Sequence, residues 1–227
     1  MTSHQTPVPR NSTRGDGSRR GSIIDAATRR FGQDGYEDTQ WADIAADVGV
    51  GPTALYHYFE SKQHCLFVIL GEAVTDFRAR LDRLSGQDRR FEAQRLSALV
   101  AVLRDCFDLT EPEILRNRVL VAEQGLLANP REAPREEQAR QTARMQSRDL
   151  ERAWAVFLKH AMDERAIPDA DPWLLARAIL GLYNSVWHWY RPDGTVQLPK
   201  VASFFVARSL ALAGLTREAT ESVLRVT

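Results

Sequence analysis

The sequence predicts an all-α protein of about nine or ten helices. Apolar residues recur at the 3.6-residue spacing of an amphipathic helix in most segments, and no convincing two-residue alternation of a strand occurs. Helix-ending and turn residues, such as Asn129-Pro130 and Arg191-Pro192, separate these segments. The length of 227 residues, with 44% hydrophobic and 26% charged residues, suits one large folded domain or two small ones.

The composition argues against several classes of protein. The 30 basic residues balance the 30 acidic ones, so no overall field attracts a nucleic acid. No stretch approaches the roughly 20 apolar residues that a membrane helix needs, so we expect no membrane partner. Because the sequence has two cysteines, Cys65 and Cys106, and does not start with an apolar leader-like segment, we expect a cytoplasmic protein with reduced thiols.

Residues 1–18 are predicted to form a disordered basic arm. They are mainly Ser, Thr, Pro, Gly and Arg, with Val8 as the single aliphatic residue. Six arginines, including Arg19 and Arg20, face two aspartates up to residue 30, which leaves this region with a net charge of +4. The arm is either a solvated tail or, beside a DNA-binding element, a segment that attracts phosphate.

Two helices are expected between residues 19 and 49. Ser18 or Ser22 caps the first, and Gly35 marks its end. Thr39 is expected to cap the second, which Gly49 terminates. A turn follows, and then a short recognition helix from about Pro52 to Tyr58, so that residues 39–59 have the helix-turn-helix pattern.

In that pattern the second helix enters the major groove of DNA. A helical hairpin containing a glycine could imitate the pattern. The polar and apolar groups left on its outer face can donate to phosphates or touch thymine methyl groups. The candidate DNA-contacting residues of this helix are therefore Pro52, Thr53, Tyr56, His57 and Tyr58.

Residues 20–66 carry an ungapped series of motif positions: Phe31-(x)3-Gly35-Tyr36-(x)2-Thr39-(x)4-Ile44-Ala45-(x)3-Gly49-Val50-(x)4-Leu55-Tyr56-(x)2-Phe59-(x)2-Lys62. The series resembles the N-terminal domain of the TetR family of bacterial regulators. The resemblance implies a homodimer with an all-α effector domain, which releases a palindromic DNA operator when a small ligand binds. It also implies that Thr39 contacts a phosphate and that Lys62 reaches another from the fourth helix. Gly51 and Thr53 depart from the pattern, which more often has Ser and Gly at these positions.

The resemblance divides the chain into a DNA-binding domain, residues 19–66, and an effector-binding and dimerisation domain, residues 67–227. Between residues 61 and 227 the sequence predicts helices at about 61–84, 89–109, 111–127, 131–166, 172–190 and 199–213. Apolar residues of this second domain either form an ordinary core or line an effector cavity. The candidate lining residues are Phe77, Leu81, Phe107, Val121, Leu150, Trp154, Phe157, Tyr183 and Trp187.

Residues 180–194 end in the motif Asn184-(x)5-Tyr190-Arg191-Pro192-(x)-Gly194. The segment resembles the penultimate helix of TetR-family regulators of fatty-acid and steroid degradation that sense acyl-CoA thioesters. The resemblance implies an acyl-CoA or lipid-derived effector and a role in lipid metabolism. In the same family the last two strong helices form a four-helix bundle between subunits, a role for which we select Tyr183, Trp187, Phe204, Phe205, Ala211 and Leu212.

Arginines recur at every fourth position of the long helix, at residues 140, 144, 148 and 152. The stripe is either a solvated face or an anion site for the CoA phosphates, which the guanidinium fork suits. We take Arg144 and Arg148 as the candidate anion ligands.

We expect no enzyme, no metal and no cofactor. His57, His64 and Cys65 lack the spacing of a zinc site, and no nucleophile elbow, phosphate loop or dinucleotide fingerprint occurs. A redox-sensing Cys65, near Lys62 and a helix start, is a minor hypothesis. The sequence is also compatible with a regulator of drug efflux or other metabolism that responds to a different hydrophobic ligand, with a constitutive DNA-binding protein, and with an α-helical enzyme without a recognisable motif.

Overall fold

The computed structural model describes residues 13–85 and 95–226, and all regular elements among them are helical. The all-α prediction is confirmed. A 3-10 helix at Gln124–Ala128 lies between the sixth and seventh helices. The α-helices are α1 (Thr13–Gln33), α2 (Trp41–Asp47), α3 (Pro52–Leu55), α4 (Lys62–Ser85), α5 (Arg95–Asp105), α6 (Glu111–Glu123), α7 (Pro134–Asp163), α8 (Pro172–Trp189), α9 (Leu198–Leu212) and α10 (Arg217–Val226).

Helix α1 starts earlier than the sequence predicts. It includes residues 13–18, so the disordered arm is wrong for that part, and residues 1–12 lie outside the described residues. Ser22 lies within the helix, where its hydroxyl donates to the carbonyl of Ser18 at 3.0 Å. Gly35 has φ +100° just after the helix, in the left-handed region that glycine enters without steric cost.

Helix α2 is capped differently from the prediction. Its N-cap is Gln40, whose side chain makes no capping hydrogen bond. Thr39 is buried, and its hydroxyl donates to the carbonyl of Gly35 at 2.7 Å, so it stabilises the turn before the helix instead. Gly49 follows the helix with φ +68°, as expected of a terminating glycine.

Several other helix ends follow the predicted signals. Ser61 Oγ accepts from the backbone N–H of His64 at 2.9 Å, which caps α4. Thr110 forms a capping box with Glu113 at the start of α6, and the Asp171 carboxylate accepts two backbone N–H groups of α8. Helix α10 was not predicted, and the predicted helix start near residue 89 lies outside the described residues.

The long helices α4 and α7 pack against each other and form the centre of the molecule, while α8 packs on α7 and α6. Helix α1 crosses α6 closely at Gly32, where an added Cβ would lie 2.9 Å from the Cβ of Leu115. This contact seats the N-terminal helices on the larger C-terminal part. No helix within the described ranges is both long and apolar enough to span a membrane.

Candidate nucleic-acid interface and effector core

The predicted recognition helix is shorter than expected. Regular α-helix covers only Pro52–Leu55, so the predicted extension to Tyr58 is wrong. The chain continues in tight turns, in which the N–H groups of Tyr56, His57 and Tyr58 bond to carbonyls three residues earlier at 3.0–3.3 Å. These hydrogen-bonded turns continue the segment without a break from residue 52 to residue 58.

Two buried anchors hold this segment against the domain. Leu55 and Phe59 are fully buried, and the Phe59 ring meets the edges of Trp41 and His64 at centroid distances of 6.3 and 5.5 Å. The guanidinium of Arg20 lies 5.1 Å above the same ring. The anchors leave an exposed recognition surface, which consists of Pro52, Thr53, Tyr56 (55% exposed) and His57, with Tyr58 half-buried beside it.

The residues predicted to contact DNA phosphates have internal partners. Lys62 Nζ donates to the carbonyls of Tyr36 at 2.7 Å and Thr39 at 2.9 Å, which leaves one of its three N–H bonds for a phosphate. Arg19 is exposed and donates to the carbonyl of Val48 at 3.2 Å, at the end of α2. Lys62 therefore ties the turn before α2 to the start of α4, a role that the sequence did not indicate.

A polar junction joins the segment after the recognition surface to the start of α7. The Glu60 carboxylate accepts from the backbone N–H groups of Arg135 at 3.0 Å and Glu136 at 3.1 Å. The Arg135 guanidinium donates to the Tyr58 carbonyl at 2.7 Å, and the Ser61 hydroxyl donates to Glu136 at 2.5 Å. Glu60 thus caps a helix that starts about 75 residues further along the chain. Sequence reasoning missed this junction, because no local pattern marks it.

The larger domain contains a cluster of five buried aromatic side chains, which we call the aromatic core: Phe77, Phe107, Trp154, Tyr183 and Trp187. Tyr183 lies at its centre, with ring centroids 4.5 Å from Phe77 and 5.4 Å from both Phe107 and Trp187. Asn117 donates to the Tyr183 hydroxyl at 3.0 Å, and burial raises the pKa of that hydroxyl. The sequence indicated these five aromatics as candidates, and the structure brings them together.

The aromatic core is almost completely filled. The cavity beside Phe77 and Tyr183 has a volume of about 10 Å³, enough for a single water molecule. The indole N–H of Trp154 is buried and has no hydrogen-bond partner within the described part of the chain, which is costly for a buried donor. A ligand that entered the aromatic core beside Phe77 and Tyr183 would have to displace side chains there.

The other predicted lining residues lie around the core rather than in it. Leu81 and Phe157 line an open cleft of about 420 Å³ between α4 and α7. Val121 lines a separate cleft of about 230 Å³ beside the end of α8. Leu150 is buried on α7.

The arginine stripe of α7 does not act as one surface. Arg140 is buried, pairs with Glu137 through two bonds of 2.6 and 2.7 Å, and donates to the carbonyl of Leu127. The hydrogen bonding to Arg140 is the largest of the effects that lower the pKa of Glu137 to about 2. Arg144 is half-buried and Arg148 is exposed, and neither has a salt-bridge partner among the described residues.

Two of the residues selected for dimerisation belong to the interior. Tyr183 is 7% exposed and Trp187 1% exposed, so both point into the protomer's own core and the prediction is wrong for them. Phe204, Ala211 and Leu212 are exposed on α9, as a subunit contact requires, whereas Phe205 is half-buried against Phe107. The neighbouring face of α8 adds exposed apolar or small residues at Leu174, Ala178 and Gly181.

The two cysteine thiols are free, and burial raises the pKa of each. A thiol that resists ionisation reacts slowly, so the structure argues against Cys65 as a redox sensor. Within the described residues no group of three or more His, Cys, Asp or Glu side chains could hold a metal ion.

A helix-turn-helix unit joined to a larger helical domain is the arrangement of a class of DNA-binding transcriptional regulators. The model of bacterial regulatory proteins of the tetR family matches residues 23–69, and the model of the tetracyclin repressor-like C-terminal domain matches residues 122–215. The chain belongs to the TetR family. It is accordingly a DNA-binding regulator of transcription rather than an enzyme.

Similar proteins span nearly the whole chain. The transcriptional repressor KstR2 of Rhodococcus jostii RHA1 is 29% identical over 220 residues, which are 92% of this chain and 97% of that protein. The structure of the ketosteroid transcriptional regulator KstR2 of Mycobacterium tuberculosis has a TM-score of 0.66 at 24% identity and covers 88% of this chain and 95% of its own. AibR in complex with isovaleryl coenzyme A and operator DNA has a TM-score of 0.67 at 21% identity, with coverages of 84% and 97%. The two structures share the fold of this chain.

Proposed function

We propose that the chain is a cytoplasmic repressor that binds a palindromic operator as a homodimer and leaves it when an acyl-CoA or a related lipid intermediate binds. The recognition surface carries the DNA-binding part of this proposal. Thr53, Tyr56 and His57 are exposed on a segment anchored by two fully buried residues, Leu55 and Phe59. Exposed hydroxyl and imidazole groups on such a segment suit contacts with phosphates and base edges.

The homodimer is supported by the exposed apolar face of α8 and α9. Phe204 is 54% exposed and Leu212 49% exposed, on a face where a monomer would leave them in water. A two-fold axis through this face would present two recognition surfaces to the two halves of a palindrome.

The lipid-derived effector is supported by the aromatic core and by the relatives. Planar or branched apolar groups suit a cavity formed by displacement of Phe77, Tyr183 and Trp187. KstR2 of R. jostii is named a transcriptional repressor, its M. tuberculosis counterpart a ketosteroid regulator, and AibR binds isovaleryl coenzyme A. A different hydrophobic ligand, as in a regulator of drug efflux, would use the same core, and a ligand panel separates the two.

Helix α4 supplies a route from effector to DNA. It starts at Lys62, directly after the recognition segment, and carries Phe77 in the aromatic core. Displacement of Phe77 would therefore move the helix that holds the DNA-binding domain. Two domains that lose their mutual spacing no longer dock together on two half-sites, which couples effector binding to release of DNA.

The recognition surface is tested by its binding to DNA, and the salt dependence of that binding reports on the proposed phosphate contacts of Arg19, Arg20 and Lys62 beside it. The hydroxyl of buried Thr39 donates to Gly35 and is not available for a phosphate. Genome-wide capture of DNA by the full chain would identify an operator, and Tyr56→Ala and His57→Ala variants would then be compared on it. We expect salt-sensitive binding to a palindrome, weakened by either change, whereas the exposed Arg217→Gln variant on α10 should bind like the original chain. Specific binding that ignores both changes would contradict the role of this surface.

The dimer is tested by sedimentation of the Phe204→Glu variant. A charge at this position should convert the dimer to a monomer and abolish operator binding, because one half-site holds a monomer weakly. A variant that remains dimeric would exclude α9 as the subunit contact.

A further inference from the structure

A cleft of about 230 Å³ lies between the end of α1, the second half of α6 and the end of α8. Its walls include the turn Gly32–Gly35, the arginines Arg118 and Arg191, and Trp187 with the adjacent His188. In the sequence, Arg191 belongs to the motif at residues 184–194, and no pattern marks Arg118.

Neither half-buried Arg118 nor exposed Arg191 forms a salt bridge with an acidic residue of the ranges 13–85 and 95–226. Arg191 donates to the backbone carbonyl of Tyr190 at 3.1 Å. Burial and, after it, the charge of Arg191 lower the pKa of Arg118. Two guanidiniums that repel one another beside a cavity are stabilised by an anion placed between them.

Two carboxylates, those of Asp34 and Glu123, also line the cleft. Asp34 lies 3.7 Å from the guanidinium of Arg30, which also pairs with Asp47 at 2.7 Å. Burial raises the pKa of Glu123, so its charged form is disfavoured there. The charge of Asp193 opposes the lowering of the Arg118 pKa, but its effect is smaller than those of burial and Arg191. The rim adds His188, which is exposed and can donate to an anion.

Trp187 belongs both to this cleft and to the aromatic core, where its ring lies 5.4 Å from Tyr183 and 6.0 Å from Phe107. A single indole ring therefore separates the two regions. We propose that Arg118 and Arg191 bind the anionic group of the effector, a phosphate or a carboxylate, while its apolar part displaces Trp187 and enters the aromatic core. The proposal rests on the proposed function and names the place where the charged end of that ligand binds.

The position of the cleft links the anion directly to the DNA-binding domain. One wall is the end of α1 with the two residues that follow it, and this helix end is packed against α6 where Gly32 meets Leu115. An anion bound between Arg118 and Arg191 would therefore lie against the helix end that leads into α2. This route acts on α2 and is separate from the route through α4.

The test is calorimetric titration of the full chain with coenzyme A, isovaleryl coenzyme A and inorganic pyrophosphate. Because hydrogen bonds to charged groups are strong, Arg118→Gln and Arg191→Gln should each weaken binding of all three about tenfold or more. Arg217→Gln, the same change at an exposed position on α10, should leave binding unchanged. Thermal unfolding of each variant confirms that it is folded, and Arg118→Lys, which keeps the charge, should restore part of the affinity.

The outcomes separate this proposal from the proposed function. Arginine-dependent binding of pyrophosphate without binding of either coenzyme A compound would support the anion site and reject the acyl-CoA effector. Equal affinities in the original chain and both glutamine variants would overturn the site, as would no binding of any probe. Loss of coenzyme A binding in Arg144→Gln and Arg148→Gln, but not in Arg118→Gln, would move the anion site to α7 and likewise overturn the proposal.

Discussion

The recognition surface and the aromatic core place their functional side chains in opposite environments. Thr53, Tyr56 and His57 face solvent on a short segment whose anchors are completely buried. Tyr183 and Trp187 are buried against other aromatic rings, and the cavity beside Tyr183 has room for one water molecule. In the proposed function, the first region binds DNA in the shape that it already has, whereas the second opens to hold the effector.

This difference explains how one chain could connect two ligands. A preformed surface binds DNA without internal rearrangement, so its affinity depends on how the two domains of a dimer are spaced. A filled core changes shape whenever a ligand enters, because packed interiors have few voids to absorb new volume. In the proposed function, the rearrangement of the aromatic core is therefore the signal, and the recognition surface receives it without changing its own shape.

The largest effect is expected for Phe59→Ala, which removes an anchor of the recognition surface. Phe59 is fully buried, and large-to-small changes of this kind cost about 3–5 kcal/mol. The free energy of unfolding from a urea titration should fall by that amount. The exposed Tyr56→Ala variant is the control, expected within about 0.5 kcal/mol of the original chain. Similar losses in both variants would remove the distinction between anchor and contact residue.

A smaller effect is expected for His57→Ala, which removes a contact group and leaves the anchors in place. Loss of one hydrogen bond to DNA corresponds to about 1 kcal/mol, or several-fold in the dissociation constant. Fluorescence anisotropy on the identified operator measures the change, with unfolding followed in parallel. A variant that loses stability instead of DNA affinity would place His57 among the anchors.

A third change, Glu60→Gln, breaks the junction between the two regions. The carboxylate accepts two N–H groups at the start of α7, and loss of such a cap costs about 1 kcal/mol. We expect that loss in the free energy of unfolding, together with a weaker effect of the effector on operator affinity. Glu132→Gln, an exposed change just before α7, is the control. If the Glu60→Gln variant is destabilised but the effector still lowers its operator affinity as much as in the original chain, the junction has a purely structural role.

The smallest effect concerns pH and His64, which lies at the same junction. Its Nδ1 accepts from the backbone N–H of Glu60 at 3.0 Å, and burial followed by the charge of Arg135 lowers its pKa from 6.5. The unfolded chain therefore binds a proton before the folded chain does, and stability should fall as the pH drops below about 6.5. Unfolding of the original chain and His64→Asn between about pH 7.5 and 5.5 measures this contribution. If the free energy of unfolding depends on pH in the same way in both proteins, His64 makes no such contribution.

Local signals explain why so much of the DNA-binding domain could be predicted. The glycines at 35 and 49, Pro52 and Ser61 act within one or two helical turns, so their positions alone indicate where helices end and begin. The prediction that Thr39 caps α2 was wrong because its hydroxyl donates to the Gly35 carbonyl in the preceding turn. The junction formed by Glu60 could not be predicted, since its partners are about 75 residues away.

The effector domain was predictable in composition but not in orientation. Both faces of α8 carry apolar or small residues, so periodicity could not show that Tyr183 and Trp187 face the protomer's own core while Leu174 faces outward. The regular spacing of the arginines likewise could not show that their environments differ. Arg140 is buried in an ion pair, whereas Arg148 is exposed.

We propose above all that effector binding in the larger domain weakens the binding of operator by the DNA-binding domain. It is tested by the dissociation constant for the identified operator, measured by anisotropy across a concentration series of the tightest-binding acyl-CoA thioester. We expect a saturable rise in this constant of about tenfold or more, and an equal loss of thioester affinity when operator is bound, because coupling between sites is reciprocal. A thioester that binds the core while the operator constant stays unchanged would contradict it.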